Sequence, residues 1–539
     1  MTAEEAATLR GWTSAAGDER ARDRQERVRG VAAERDDSRI SQRSDAPDGV
    51  LVLIATLCER LRAEGVRYCH WKSNEAIARS LTGENDLDLL VARSDARAFE
   101  GVLRQLGFRE VRQPAWKRLP GIYHAYGVDP SGAFVHIHAH HQLVVGDDMT
   151  KNVHLPIEEA YLASSGSSGT FPIPSPAFEL AVFLIRMVVK HCTWDAILSL
   201  QGSLSASERR ELHDLRDHAA LEDVLAVGTR HLPFVPDELW ERCLRSVERA
   251  SPWFRIRTAS RLQRTLGGCS RRAPAADTWL RMLRRARTVV RRKVLRRGPV
   301  QNQLASGGAL VAIVGGDGAG KSTVVDGLAR WFGSEHIETH AVHLGKPPWS
   351  LLTSAVKGIM KVAAAANRTS TPSGRALRSA LSGTAPARIT LRHRARLAWE
   401  VLTARDRYRA YRRARRLATN GAIVISDRFP LPEISSMDGA VMRRASDLAR
   451  WGRWGRAMAR LERAYYDRIG RPDVLVVLTV EPDTAVERKR GIEPESTVRP
   501  RSEEIRAIDW SGRAAVVIDT SASRDEVLTR AKLAVWSGL

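Results

Sequence analysis

Residues 311–323 read VAIVGGDGAGKST, an apolar run closing on Gly315-x-x-x-x-Gly320-Lys321-Ser322. The spacing predicts a strand, then a phosphate-binding loop, then a helix that begins around Thr323. In such a loop, backbone N–H groups curl around phosphate oxygens, and side chains would obstruct the approach at Gly315, Gly316, Gly318 and Gly320. Asp317 and Ala319 fill the other positions, so the candidate nucleotide cradle is the whole run from Gly315 to Thr323. Lys321 is suited to neutralise the β- and γ-phosphates, and Ser322 to offer its hydroxyl to Mg²⁺. The N-terminus of the helix adds a favourable dipole. An ordinary glycine turn would lack this conjunction of strand, spacing, Lys-Ser and helix. The expected ligand is a nucleoside triphosphate.

Working outward, apolar runs at 309–314, 341–344, 422–426, 474–480 and 514–519 alternate with helical stretches, including a long Arg/Ala-rich one at 388–419. That alternation predicts a parallel sheet covered by helices on both faces over 308–539. One of these strands ends in AIVISDRFP (422–430), placing Asp427 and Arg428 where ligands bind in such sheets. Asp427 suits Mg²⁺ or the acceptor oxygen, and Arg428 suits a bidentate grip on an acceptor phosphate. The bland alternative is a strand-end ion pair. A third segment, RPDVLVVLTVEPDTAVERKRGIEPESTVRPRSEE (471–504), leads from a strand through a Pro-Asp turn and a short helix into a run dense in Arg and Lys. It reads as a mobile lid, with Arg488, Lys489, Arg490, Arg499 and Arg501 as candidates to reach a transferring phosphoryl group, or as an exposed basic loop.

Together, GGDGAGKST, ISDRF and PDVLVVLTVEPDTAVERKR resemble the corresponding motifs of the thymidylate kinase family of nucleoside monophosphate kinases. The closing AVVIDTSASRDEVLTRA (514–531) is similar to that family's last strand and helix. The resemblance covers roughly 308–539. It implies ATP held by Gly315–Thr323, Asp427 at the catalytic centre, Arg428 on the acceptor phosphate, and Mg²⁺ as cofactor. Some members carry an arginine inside the loop; here Gly316, Asp317, Gly318 and Ala319 occupy those positions, which turns attention to the cations at 488–501. The segment PLPEISSMDG (430–439) displaces the usual Ser-Ser and lacks the Tyr-Gln that helps bind a thymine nucleotide. HLGKPPW (343–349) replaces an Arg-Glu-Pro segment, with Lys346 as a substitute cation. The acceptor, dTMP or a related small phosphate, is left open.

The chain has 539 residues, 43% hydrophobic and 27% charged, enough for several ordinary cores. Residues 1–48 carry few large apolar groups and are expected to form a disordered tail. A mixed α/β domain follows over 49–175, and a helical, basic connecting region over 176–300. Helices are expected at 50–65, 96–106, 178–190, 206–228 and 237–250. Strands are expected at 66–70, 87–91, 122–128 and 133–145. The first segment has no secretory h-region, and no apolar run reaches the ~20 residues that span a bilayer. Five scattered cysteines with no CxxC pair suggest neither a disulfide framework nor a cysteine zinc site and suit a reducing, cytoplasmic setting. The formal charge of +23 favours acidic partners, but an arginine-rich composition produces the same excess. The basic helix at 281–297 is either a solvated surface or a nucleic-acid-binding arm, and oligomerisation is left open.

The segment YCHWKSNEAIARSLTGENDLDLLV (68–91) resembles nucleotidyltransferase-fold domains, in which a Ser precedes Asp-x-Asp on a strand. Residues i and i+2 of a strand share a face, so Asp86 and Asp88 can share Mg²⁺, with Lys72, Ser73 and Asn74 near a triphosphate. Similar domains place a third carboxylate on an adjoining strand, but the expected position here is His136, with His138, His140 and His141 nearby. Asp147 and Asp148 follow later in the chain. His136, His138 and His140 offer a Zn²⁺ set, although alternating histidines on a half-exposed strand are ordinarily structural. Three functions follow. The first is an ATP- and Mg²⁺-dependent phosphotransferase acting on a small monophosphate. The second is a bifunctional nucleotidyltransferase and kinase that modifies nucleic acid or a metabolite. The third is a catalytically inactive nucleotide sensor.

Overall fold

The computed structural model describes residues 49–119, 121–166, 169–248, 250–296, 300–345, 350, 352–358, 391–435, 439–440 and 452–539. The expected tail at 1–48, Lys346 and much of the insert after it lie outside the described residues. Among the described residues, no helix is long and apolar enough to cross a membrane. The chain divides into two compact units, one ending at Ser306 and the other running from Gly307 to Leu539.

In the first unit, β1 (Tyr68–His70), β2 (Leu87–Val91), β3 (Arg109–Arg112), β4 (Ile122–Val128), β5 (Phe134–His140) and β8 (Gln303–Leu304) form one sheet in the order β1-β2-β5-β4-β3-β8. Only β2 and β5 pair in parallel. The run expected as a single strand over 133–145 is broken after His140. There the chain leaves this sheet and starts β6 (Leu143–Val145), which pairs with β7 (Val153–Leu155). The helix expected over 206–228 is likewise two, Ala206–His218 and Leu221–His231. Ala219 is extended, and the Asp223 carboxylate accepts the Ala220 N–H at 2.9 Å, starting a new helix where the first would have continued.

The helix Pro176–His191 has Pro176 in its first turn and Lys190 and His191 in its last, favourable for its dipole. It is apolar on nearly every side, and its buried face joins Cys69, Leu90 and Leu143 of the strands to Leu212, Trp240 and Leu262 of the later helices in one core. Glu179 lies inside this core at 6% exposure. Burial raises its carboxyl from the ordinary 4.5 to about 8; the nearby Asn74 amide and the charge of Arg186 counter this only in part. The folded state therefore holds a proton that the unfolded chain releases between those values. This stabilising contribution is complete below pH 4.5 and is lost as the pH rises toward about 8. Unfolding free energies from urea titrations should fall from pH 5 to 8, by up to ~1.4 kcal/mol per pH unit, and Glu179→Gln should flatten the slope.

The second unit is built on five parallel strands: β9 (Ala309–Gly315), β10 (Thr339–His343), β11 (Ile423–Asp427), β12 (Val474–Thr479) and β13 (Ala515–Asp519). Their order is β10-β11-β9-β12-β13, so the strand feeding the glycine loop is central and every residue of it is buried. Alternate residues Leu310, Ala312 and Val314 face a core with Ala414, Ala418 and Ile505, from the helices Leu391–Thr419 and Glu495–Ala507. On the opposite face lie the helices Lys321–Ser334 and Arg524–Ser537, joined by Phe332 and Trp331 against Trp536. Burial on both faces is why β9, β11 and β12 read as nearly unbroken apolar runs.

Candidate functional site

The glycine loop leaves the carboxyl end of β9 at the point where successive connections run to opposite sides of the sheet, the usual ligand crevice of such folds. Gly318 and Gly320 adopt φ of +83° and +82°, a region that L-residues with side chains enter at a cost. Crowding adds a second constraint. A Cβ on Gly315 would lie 2.5 Å from the Leu478 carbonyl oxygen, and one on Gly318 would lie 2.8 Å from that of Ala485. Lys321 opens the helix and folds back, its Nζ donating to the carbonyls of Gly315 (3.0 Å) and Gly316 (2.7 Å). Ser322 and Thr323 are exposed on the first turn, while Ala319 is buried beneath the loop.

Asp317 is 2% exposed and gathers three cations from three segments. Arg501 donates to its Oδ2, Arg428 Nη2 lies 3.6 Å from Oδ1, and Lys321 Nζ lies 3.9 Å from Oδ1. Burial alone would raise this carboxyl; the Arg501 bond and the charges of Lys321 and Arg428 outweigh it and hold it below the ordinary range. Arg428 reaches this position from a left-handed backbone, φ +53°, at a cost of ~1–3 kcal/mol for a non-glycine residue. Asp427 ends β11 beside β9, and its Oδ1 is 2.5 Å from His343 Nδ1 at the facing end of β10.

The segment read as a lid is a pair of helices, Pro482–Arg488 and Glu495–Ala507, packed on the glycine loop. Ser502 Oγ donates to the Val480 carbonyl at 2.8 Å, and Val498 and Ile505 are buried. Arg488 donates to the carbonyl of Thr520 (2.9 Å) and reaches that of Gly318 (3.3 Å), tying the loop to the turn after β13. Arg490 and Arg499 are not brought to the loop. Arg490 lies 3.5 Å from Glu487, and Arg499 donates to Asp483 (2.7 Å) and Glu495 (2.8 Å) on its own segment. Lys489 similarly pairs with Glu493 at 3.6 Å.

Two contributors escaped the sequence reading. His343 was missed because only the β10–β11 register sets it opposite Asp427. Arg407 donates to the carbonyls of Leu344 (2.6 Å) and Gly345 (2.8 Å), fixing the chain just after β10. Ser435, whose displacement weakened the thymine-nucleotide reading, bonds to Glu504 through its N–H (2.6 Å) and Oγ (2.7 Å).

In the first unit, Asp86 and Asp88 lie at the start of β2 on one face. Lys72 Nζ is 2.9 Å from Asp88 Oδ1. Burial alone would raise the Asp88 carboxyl, but Lys72, His138 and His140 together outweigh it and keep it well below the ordinary range. Across the sheet, His138 lies beside Asp88 on β5 and opposite His124 on β4. His136 stands where a third carboxylate was expected, and its Nδ1 is 2.7 Å from Asp86 Oδ1. Asp147 and Asp148 do not join this face: Asp147 accepts from Arg285 (2.6 Å), and Asp148 pairs with Lys190 (2.8 Å) and Lys151 (3.2 Å). His124 was missed, although the turn DPSG (129–132) between β4 and β5 signals a hairpin that sets it opposite His138.

The basic helix is Pro274–Val289, continued by a wider turn over Val290–Val294. Several of its arginines are committed inside the unit. Arg281 is buried against Asp195 (3.2 Å) and Asp277 (3.3 Å), Arg285 holds Asp147, and Arg287 stacks on Trp116.

No family model matches this chain. It is 28% identical over 243 residues to the uncharacterized ATP-binding protein YghR of Escherichia coli strain K12; the match takes in 42% of this chain and 86% of YghR. The YghR of E. coli O6:H1 strain CFT073 matches to the same degree. Among solved structures, a thymidylate kinase from Candida albicans aligns over 41% of this chain and 88% of its own length, at 15% identity and a TM-score of 0.24.

Proposed function

We propose that the second unit is an ATP- and Mg²⁺-dependent phosphotransferase that passes the γ-phosphoryl group to a nucleoside monophosphate, dTMP or a related small phosphate. The observation that carries this reading is the convergence of Lys321, Arg428 and Arg501 on the glycine loop at Asp317. A site that only held a triphosphate would need the loop and Lys321. Two further arginines from separate segments suit a second phosphate and the charge that develops during transfer. The ATP-binding description of YghR supports the nucleotide. The reducing, cytoplasmic setting is supported by the five free thiols.

The loop fits the phosphates by its chemistry: Gly315, Gly316, Gly318 and Gly320 put no side chain over its backbone N–H groups, and Lys321 Nζ lies at the loop, on the carbonyls of Gly315 and Gly316. Ser322 and Asp427 would hold Mg²⁺, which when bound neutralises charge on the phosphate oxygens. Arg428 grips the acceptor phosphate. An oxygen of that phosphate attacks the γ-phosphorus in line, the bond to the β-bridging oxygen breaks, and ADP leaves with the electron pair. Positioning and fixed charge supply the rate; no covalent enzyme intermediate is needed.

The test is a screen of small phosphates with ATP labelled at either the γ- or the α-phosphate. We expect γ-label on a monophosphate, reduced ~10²–10³-fold by Lys321→Ala. Release of inorganic phosphate with no labelled acceptor would sink this reading. Transfer of α-label would instead favour nucleotidyl transfer at Asp86 and Asp88. Tight ATP binding with no turnover would favour a sensor.

A further inference from the structure

We propose that His124, His136 and His138 form a binding site for a divalent transition-metal ion, with Zn²⁺ as the type. The three project from one face of the β4–β5 hairpin. His136 and His138 are two residues apart on β5, and His124 is the direct partner of His138 on β4. One ring nitrogen from each lies within 4.8 Å of the other two. Ring centroids are 4.2 Å apart for His136 and His138 and 4.5 Å for His124 and His138. Three nitrogens bound to one tetrahedral Zn²⁺ stand about 3.3 Å apart, a closure that small side-chain rotations supply.

His136 carries the second observation. Its Nδ1 is 2.7 Å from Asp86 Oδ1, so Nδ1–H donates to the carboxylate and the lone pair resides on Nε2. That Nε2 is buried and has no hydrogen-bond partner. An acceptor stranded in this way costs free energy unless something meets it. A carboxylate that orients an imidazole through its far nitrogen is how proteins set a histidine to bind a metal. The ring is held further by Tyr126, stacked on it at 4.0 Å. His140, favoured over His124 by the sequence, is not in the cluster; it packs edge-on against Trp71 and lies 4.0 Å from Asp88.

The chemistry of the donors selects the ion. Three imidazoles suit Zn²⁺, Co²⁺, Ni²⁺ or Cu²⁺ and suit Mg²⁺ poorly. Both carboxylates stand behind the ligands: Asp86 is 2.7 Å from His136 Nδ1 and 3.5 Å from His138 Nε2, and Asp88, paired with Lys72 at 2.9 Å, is 3.5 Å from His138 Nδ1. The inference is independent of the phosphotransferase reading, and its measurement uses no nucleotide.

The experiment strips the full chain with a chelator and titrates it with Co²⁺ in Mg²⁺- and nucleotide-free buffer, following the visible d–d bands. We expect one equivalent with an intense tetrahedral or five-coordinate spectrum, displaced by Zn²⁺. His124→Ala and His138→Ala should weaken binding by at least ~100-fold, and Asp86→Asn by ~10- to 100-fold. His213→Ala, at an exposed position, should leave it unchanged. Circular dichroism confirms that each variant is folded. Binding equal to wild type in folded His124→Ala would overturn the proposal. So would the absence of stoichiometric binding by wild type, or a weak octahedral all-oxygen spectrum, neither of which depends on a variant folding.

Discussion

Replacing Arg501 by alanine is expected to lower kcat on the phosphate acceptor by ~10³-fold or more while changing the KM for ATP only several-fold. The loop carries no arginine of its own; Gly316, Asp317, Gly318 and Ala319 fill its variable positions. Charge that builds on the transferring group must then be met from another segment, and Arg501 is the guanidinium of the 482–507 helix pair that bonds to Asp317. Arginines supplied in this way to phosphoryl transfer are worth ~10³–10⁵-fold. Arg501→Lys should recover little, because an ammonium cannot reproduce the planar fork. Steady-state kinetics and an equilibrium ATP titration decide the matter. A kcat within tenfold of wild type would reduce Arg501 to a counter-ion of Asp317.

The second large effect is expected from Gly318→Ala compared with Gly320→Ala. Both positions have φ near +80°, so both variants carry the same backbone cost, ~1–2 kcal/mol. They differ in what the new methyl meets. At Gly320 nothing lies within 4 Å, whereas at Gly318 it meets backbone atoms of Ala485, which cannot rotate away. Overpacking of this kind adds ~1–3 kcal/mol. Gly318→Ala should therefore lift the Pro482–Arg488 helix from the loop and speed amide exchange through 482–507. It should also cut ATP affinity tenfold or more beyond the loss in Gly320→Ala. Equal exchange in the two variants would show that the helix pair is not held by this contact.

How far the sequence discloses this arrangement depends on the range of the interactions. The five strands of the second unit were legible because β9, β11 and β12 are buried on both faces and carry few polar interruptions. The loop was legible because its chemistry is local: consecutive backbone groups, then Lys321 and Ser322. What joins distant segments was not. The pairing of Asp317 with Arg501, or of Asp427 with His343, depends on strand order and register, which no local pattern specifies. The second helix of the pair, Glu495–Ala507, read as a loop because Pro500 and its many charges obscure the buried stripe of Val498, Ser502 and Ile505. In the first unit, Asp86 and Asp88 were found through their own two-residue spacing. His124 needed the hairpin pairing that carries it across to His138.

The parallel pairing of β10 with β11 has a consequence for how this fold can vary. Thr339 to His343 align with Ile423 to Asp427 although the whole stretch from Leu344 to Ala422 separates them. Closing a flexible connection costs free energy only as the logarithm of its length, about 0.6 kcal/mol for each doubling. The sheet register therefore hardly senses how much chain is inserted there. That connection starts beside His343 and ends in the strand that delivers Asp427 and Arg428. Evolution can thus lengthen the connection ahead of the helix Leu391–Thr419, whose Ala414 and Ala418 pack on β9, at little thermodynamic penalty to the strands that carry the chemistry.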